Sequence, residues 1–191
     1  MQERVAGTRR PAQAFATAAL VEQRRHELIL GLDPSLRGTG YGLIKIAKPV
    51  PHTLTYGTVT CRADWRHSQC LVFIVQTLRT ILKQYQPTLC VIEGLFYAQN
   101  LQTAQIMGEA RGAALATIAE AGLEIYEMAP RKVKQAIVGY GAAQKIAVAK
   151  MVQRMLRLPD IPPPDAADAL ALALAHAQEN GKYNFNAPKR I

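Results

Sequence analysis

The chain of 191 residues is 49% hydrophobic and 19% charged, a balance typical of a single globular domain with a real core. Its net charge of +9 favours a polyanionic partner, which leaves nucleic acid or an anionic membrane face as candidates. There is no apolar run long enough to span a membrane and no secretory-signal pattern at the N-terminus, so we expect a cytoplasmic protein without a membrane partner.

Residues 1–26 mix arginines with an alanine-rich stretch, and we interpret them as an N-terminal extension preceding a folded domain at 27–178. The domain opens with LILGLD, a short apolar run ending in an acid, which is typical of a buried strand. The segments TGYGLIKIA and TLTYGTVT are rich in β-branched and aromatic residues and predict two antiparallel strands. A helix over 68–86, ended by Pro87, then leads to a fourth strand at TLCVIEGL.

The second half begins with a long helix, predicted over 101–121. Its Gly108, Gly112 and Ala116 form a stripe at four-residue steps, and we interpret this stripe as core packing rather than as a dimer seam. The remaining elements are a fifth strand at LEIYEMA, a short helix opened by Pro130, a helix over 142–158 and, after a proline-rich linker, a helix over 165–177.

Residues 179–191 are predicted to form a C-terminal tail. The order of elements predicts an α/β fold. In it, three antiparallel strands and then parallel strands make a mixed five-stranded sheet, with helices on both faces.

Four acids occupy positions that ordinary packing explains poorly when they are taken together. Asp33 and Glu93 end apolar strands, where a carboxylate is costly unless something pairs with it. Asp165 and Asp168 stand three apart at a helix start, which places them on one face. Each acid alone could be a turn or helix cap, but the four together suggest a shared cation.

Oxygen ligands without histidine or cysteine select magnesium, or manganese in its place. The three cysteines lack Cys-x-x-Cys spacing and the four histidines are scattered, so neither type predicts a metal site. Two divalent ions about 4 Å apart can activate a water and stabilise the leaving oxygen of a phosphodiester. Metal-dependent phosphodiester cleavage is therefore the predicted chemistry.

The segment 131–157 contains seven basic residues and no acid, and it favours binding to phosphates over a merely solvated face. Phe96 and Tyr97 come three and four residues after Glu93, and adjacent aromatics in such a loop either cover the core or stack on unpaired bases. The basic residues are Arg131, Lys132, Lys134, Lys145, Lys150, Arg154 and Arg157.

Five segments in this order resemble the RuvC family of Holliday junction resolvases: GLDPSLRGTGYG, VIEGLFYAQN, GEARGAAL, APRKVKQAIVGYGAAQK and PPPDAADALALALAHA. The resemblance runs from about Leu28 to Ala177. It implies a ribonuclease H-like fold and a homodimer that binds a four-way DNA junction, in which each subunit nicks one of two opposed strands. It also implies a role in recombination and repair beside a branch-migration motor of the RuvA and RuvB type.

The resemblance assigns roles residue by residue. It implies that Asp33, Glu93, Asp165 and Asp168 are the catalytic acids, holding two Mg²⁺ ions per active site. Lys134 and Lys145, with Arg131 in the same basic segment, fall where the family approaches the DNA backbone. Phe96 falls where the family places an aromatic that stacks at the junction.

Two features depart from the family pattern. Ser35 stands where the family usually has glycine, which raises the question of whether the turn needs a positive φ. Residues 1–26 precede the position where family members typically begin. The competing interpretations are a ribonuclease H-like nuclease acting on RNA–DNA hybrids or flaps, and a non-catalytic junction-binding protein. A sugar-kinase-like or actin-like nucleotide binder shares the opening strand and turn but needs a longer chain.

Overall fold

The computed structural model describes residues 27–94, 100–179 and 189–191. Within these ranges the chain forms one six-stranded sheet in the order β3-β2-β1-β4-β5-β6 and five helices. The elements are β1 Leu28–Asp33, β2 Gly38–Lys45, β3 His52–Thr60, α1 His67–Tyr85, β4 Leu89–Glu93, α2 Leu101–Glu120, β5 Glu124–Met128, α3 Pro130–Val138, α4 Lys145–Leu156, α5 Pro164–Glu179 and β6 Lys189–Arg190.

The sheet confirms the predicted mixed pattern of three antiparallel strands and then parallel strands. β1, β2 and β3 pair antiparallel as consecutive neighbours, and β4 and β5 extend the sheet in parallel on the other side of β1. The sixth strand, β6, was not predicted; it pairs antiparallel with β5 inside the segment interpreted as a tail. A two-residue strand is too short to show any alternation of apolar and polar residues, which is why the sequence gives no sign of it.

Successive side chains on a strand point to opposite faces, and both faces of this sheet are covered. Ile29 and Leu89 point towards the cluster that includes α3, α4 and α5, whereas Leu30 and Ile92 point towards the cluster built with α1 and α2. All four side chains are fully buried. The apolar runs at β1 and β4 are therefore strands buried on both faces, as their continuous hydrophobicity indicates.

The stripe of small residues on α2 corrects one prediction. A Cβ added at Gly108 or Gly112 would have nothing within 4 Å, and Gly112 and Ala116 are exposed. The stripe therefore faces away from the core of its own chain, and the interpretation as core packing is wrong. Small size alone does not tell whether a stripe faces the chain's own core or another molecule.

The helix ends differ from prediction by up to three residues, because α4 begins at Lys145 and α5 at Pro164. The turn containing Ser35 does not need a positive φ, since Gln86 and Arg157 are the non-glycine residues in the described ranges with that conformation. It is closed instead by Thr39, whose hydroxyl donates to the Ser35 carbonyl at 2.6 Å. Of the helices in the ranges given above, none is long and apolar enough to span a membrane.

Candidate active site

Two of the predicted acids meet at one edge of the sheet. β1 and β4 are parallel neighbours whose last paired residues are Leu32 and Ile92, so Asp33 and Glu93 leave the sheet side by side. Their side chains are hydrogen-bonded to each other. The adjacent, parallel strand ends thus place two carboxyl groups in direct contact.

The other two acids arrive on α5 because glycines let this helix lie against the sheet backbone. A Cβ added at Gly31 would lie 1.9 Å from the Ala169 carbonyl oxygen, and one at Gly40 would lie 2.0 Å from the Asp165 carbonyl oxygen. No larger residue fits at either position without moving α5. The close approach carries Asp165 and Asp168, in the first turns of α5, to the edge where Asp33 lies.

The charges of these acids act on one another. Burial is the main cause of the raised pKa of Asp33, and the negative charges of Asp168 and Asp165 raise it further. Burial and the charge of Asp33 together raise the pKa of Glu93 to about 8. The hydrogen bond lowers the pKa of Asp33 and raises that of Glu93, so Glu93 keeps the proton and donates it to Asp33.

Lys145 supplies the balancing positive charge. Its Nζ lies 2.7 Å from Asp168 Oδ2 and donates a hydrogen bond to it, which is the main reason that the pKa of Lys145 is raised. Lys145 begins α4, so the start of this helix stands over the start of α5. Lys145 therefore lies at the acidic site, and its predicted contact with the DNA backbone stays a prediction.

The side chains of the four acids fit a hard divalent cation, since the only ligand atoms that they offer are carboxylate oxygens. In the described ranges no three His, Cys, Asp or Glu side chains are arranged as ligands of one ion. Three of the acids instead lie in two pairs: Asp33 is paired with Glu93, and Asp168 with Lys145. Without metal, the proton on Glu93 and the ammonium group of Lys145 thus compensate part of the negative charge of the acids.

A cavity of about 150 Å³ opens beside the acids and contains a residue that the sequence analysis missed. Arg111, near the middle of α2, reaches into it and donates hydrogen bonds to the Glu93 carbonyl oxygen and to the Glu127 carboxylate. The signal was present in the sequence: Arg111 shares helical spacing with the buried Ala114 and Ile118. The cavity is lined by Asp33, Pro34, Glu93, Gly94, Met107, Arg111 and Pro130.

The basic segment lies partly beside this cavity. Pro130 lines the cavity, and Lys134 lies one turn further along the same face of α3. Arg131 is exposed, and Gly141 leaves room for its side chain. Phe96 and its neighbours at 95–99 lie outside the described residues, so its predicted stacking role stays a prediction.

A mixed sheet of this order, with acids at two adjacent strand ends and at the start of a helix packed across it, defines the ribonuclease H-like class of nuclease folds. Comparison with known proteins identifies the family within this class. The family model for "Crossover junction endodeoxyribonuclease RuvC" matches residues 29–176. The chain belongs to this family of endodeoxyribonucleases, enzymes that cleave phosphodiester bonds in DNA.

Curated relatives and a solved structure agree with this assignment. The chain is 40% identical over 148 residues to the RuvC protein of Roseiflexus sp. strain RS-1, covering 77% of this chain and 88% of that protein. It is 43% identical over 151 residues to that of Heliobacterium modesticaldum, covering 78% and 93%. The structure of Thermus thermophilus RuvC in complex with a Holliday junction substrate matches with a TM-score of 0.78 at 30% identity, covering 87% of this chain and all of that one.

Proposed function

We propose that this chain resolves four-way DNA junctions by paired, symmetric nicks in two opposed strands, using two Mg²⁺ ions in each active site. The observation that carries the proposal is that Asp33 is hydrogen-bonded to Glu93 and feels the charges of Asp165 and Asp168, at one edge of the sheet of a protein with a net charge of +9. A cluster of acids on a basic protein repels DNA unless it holds cations, and cations there can bridge to a phosphodiester.

The four acids would hold the ions, which supply a Lewis acid for the attacking water and for the leaving oxygen when they are bound. Glu93 has to release its proton to act as a ligand, because a protonated carboxyl group is a poor donor to a cation. Asp168 would hold a cation through its carboxylate oxygens, and the Lys145 ammonium group beside it would then be available to a phosphate oxygen. Lys134 and Arg131 would contact the backbone along the approach to the cavity.

We propose that the protein acts as a homodimer, because two symmetric nicks need two sites. The stripe of Gly108, Gly112 and Ala116 on α2, of which Gly112 and Ala116 are exposed, supports this proposal, since small residues allow another helix to approach closely. An Ala116→Arg variant should then run as a monomer by light scattering and nick one strand at a time. We also propose that a branch-migration motor of the RuvA and RuvB type delivers the junction.

The deciding experiment incubates the full chain with a synthetic mobile four-way junction and Mg²⁺, and maps the products on all four strands. We expect nicks at symmetric positions in one opposed pair of strands and much weaker cleavage of an RNA–DNA hybrid of equal length. Cleavage of the hybrid at the rate of the junction would favour a general ribonuclease H-like nuclease. Binding of the junction without any cleavage would favour a structural junction binder.

A further inference from the structure

Arg111 carries a positive charge in the interior of the protein, where a charge without a partner would strongly destabilise the fold. Its side chain is 8% exposed, and its guanidinium group donates to two acceptors on different strands. One acceptor is the Glu127 carboxylate on β5, and the other is the main-chain carbonyl of Glu93 at the end of β4. Arg111 therefore links α2 to the ends of two parallel strands.

The contact falls on the main chain of a proposed metal ligand. The pairing of β4 with β5 is extended by the Gly94 N–H, which donates to the Met128 carbonyl at 2.8 Å. The neighbouring Glu93 carbonyl accepts from Arg111. These two hydrogen bonds hold the C=O and the N–H of the one peptide group that joins Glu93 to Gly94.

The positive charge of Arg111 is balanced by the Glu127 carboxylate rather than by the Glu93 carboxyl group. Glu127 neutralises it within a direct ion pair. The charges that act on the Glu93 carboxyl group are those of Asp33, Asp168 and Lys145. Arg111 thus reaches the wall of the cavity, and its hydrogen bond to Glu93 is made to the main-chain carbonyl.

We propose that Arg111 is a positioning residue: it holds the main chain of Glu93 so that the carboxyl group of Glu93 reaches the metal site. The proposal rests on the proposed function, in which Glu93 is a metal ligand. A residue that orients a ligand affects metal affinity, whereas a residue that only stabilises the fold affects melting. Loss of such a supporting contact typically weakens metal binding about 10-fold or more.

The test measures Mn²⁺ binding to the full chain without DNA, from the electron paramagnetic resonance signal of the free ion. We expect Arg111→Met to raise the Mn²⁺ dissociation constant about 10-fold. Its junction binding in chelator should stay within about twofold of the parent, since the basic segment is untouched. Cleavage at saturating Mn²⁺ should recover, so the loss lies mainly in metal affinity.

Three further variants keep the test decisive. Arg111→Lys retains a buried charge near Glu127, but one ammonium group cannot bridge both acceptors as a guanidinium does, so it too should bind Mn²⁺ more weakly. Glu127→Gln leaves the contact between Arg111 and Glu93 in place, and Ile118→Val removes one buried methyl group from the same helix. Both should melt earlier than the parent and bind Mn²⁺ within about twofold of it.

The proposal is overturned if the two Arg111 variants melt earlier but bind Mn²⁺ as the parent does, or if Glu127→Gln and Ile118→Val lose affinity equally. A parent protein that binds no Mn²⁺ and cleaves no junction would overturn the proposed function, and the positioning role with it. A parent that binds and cleaves normally, beside Arg111 variants with unchanged affinity, overturns the positioning role alone.

Discussion

Glu93 ends β4 with a carboxyl group that keeps its proton up to a pKa of about 8, mainly because burial disfavours the charged form. Between its ordinary value of 4.5 and about 8, the folded metal-free protein holds a proton that the unfolded chain has released. The free energy of unfolding therefore falls as pH rises through this range. Asp33, whose pKa is also raised, contributes in the same direction over its own range.

We therefore expect Glu93→Gln to reduce the loss of stability between pH 5 and pH 8 in chelator, because glutamine does not titrate. Melting temperatures of the parent and the variant across this range check the prediction. Glu120→Gln, at an exposed ion pair with Arg79, serves as the control and should keep the slope of the parent. Identical slopes in the parent and in Glu93→Gln would show that Glu93 is ionised throughout.

Lys134 and Lys145 are each proposed to contact a phosphate group of the DNA with their own charge. Removal of one phosphate contact should weaken junction binding and lower the slope of log affinity against log salt by about 1. We expect this result for Lys134→Ala in chelator and for Lys145→Ala in Ca²⁺, which binds the acids without placing the reacting oxygens for cleavage, measured by titration of labelled junction at several salt concentrations. Lys83→Ala, in the last turn of α1, is the control and should leave the slope unchanged. Unchanged slopes in both test variants would mean that these lysines face solvent in the complex.

At the scale of elements, the site depends on the close packing of α5 against β1 and β2. Gly31→Ala would place a methyl carbon 1.9 Å from the Ala169 carbonyl oxygen, so the backbone of α5 has to move. Such overpacking typically costs about 1–3 kcal/mol. Because α5 carries Asp165 and Asp168, we expect the variant to lose stability and most of its cleavage activity, as urea unfolding and junction cleavage would show.

Gly108→Ala provides the matched control for this substitution. A Cβ at Gly108 has nothing within 4 Å, and alanine favours a helix over glycine by up to about 1 kcal/mol. The single chain should therefore be unchanged or slightly stabilised, and because Gly108 lies on the stripe proposed as the dimer contact, Gly108→Ala is compared with Gly31→Ala on stability alone. If Gly31→Ala behaved like Gly108→Ala, α5 would not be held against the sheet in the way described.

The individual strands also show how much of the fold could be predicted from the sequence. The strands that carry Asp33 and Glu93 were predictable because an apolar run that ends in an acid is visible locally, and the parallel pairing then follows from the order of elements. The pairing of β5 with β6 was not predictable, since Lys189 and Arg190 make only two residues of strand. Pairing of so short a segment depends on tertiary structure.

At the scale of the whole molecule, the sequence indicated that four acids converge but not how their charges are compensated without metal. The hydrogen bond from Glu93 to Asp33 and the ion pair of Lys145 with Asp168 join residues far apart in the chain. The helical spacing of Arg111 with Ala114 and Ile118 indicates that it faces the core, but its partners Glu93 and Glu127 lie on other elements, so its role could not be predicted. Long-range polar contacts leave little periodic signal, whereas apolar faces leave a strong one.

The central claim is that the four acids form one metal site, and Asp168→Asn tests it most directly because asparagine keeps the shape and removes one charge. The measurement combines Mg²⁺-dependent junction cleavage with the shift of melting temperature on adding Mg²⁺. We expect junction binding in chelator to persist, cleavage to be abolished, and the Mg²⁺-induced rise in melting temperature to shrink well below that of the parent. Cleavage at the rate of the parent, with an unchanged Mg²⁺ shift, would contradict the shared site and leave Asp168 as an ordinary helix-start acid paired with Lys145.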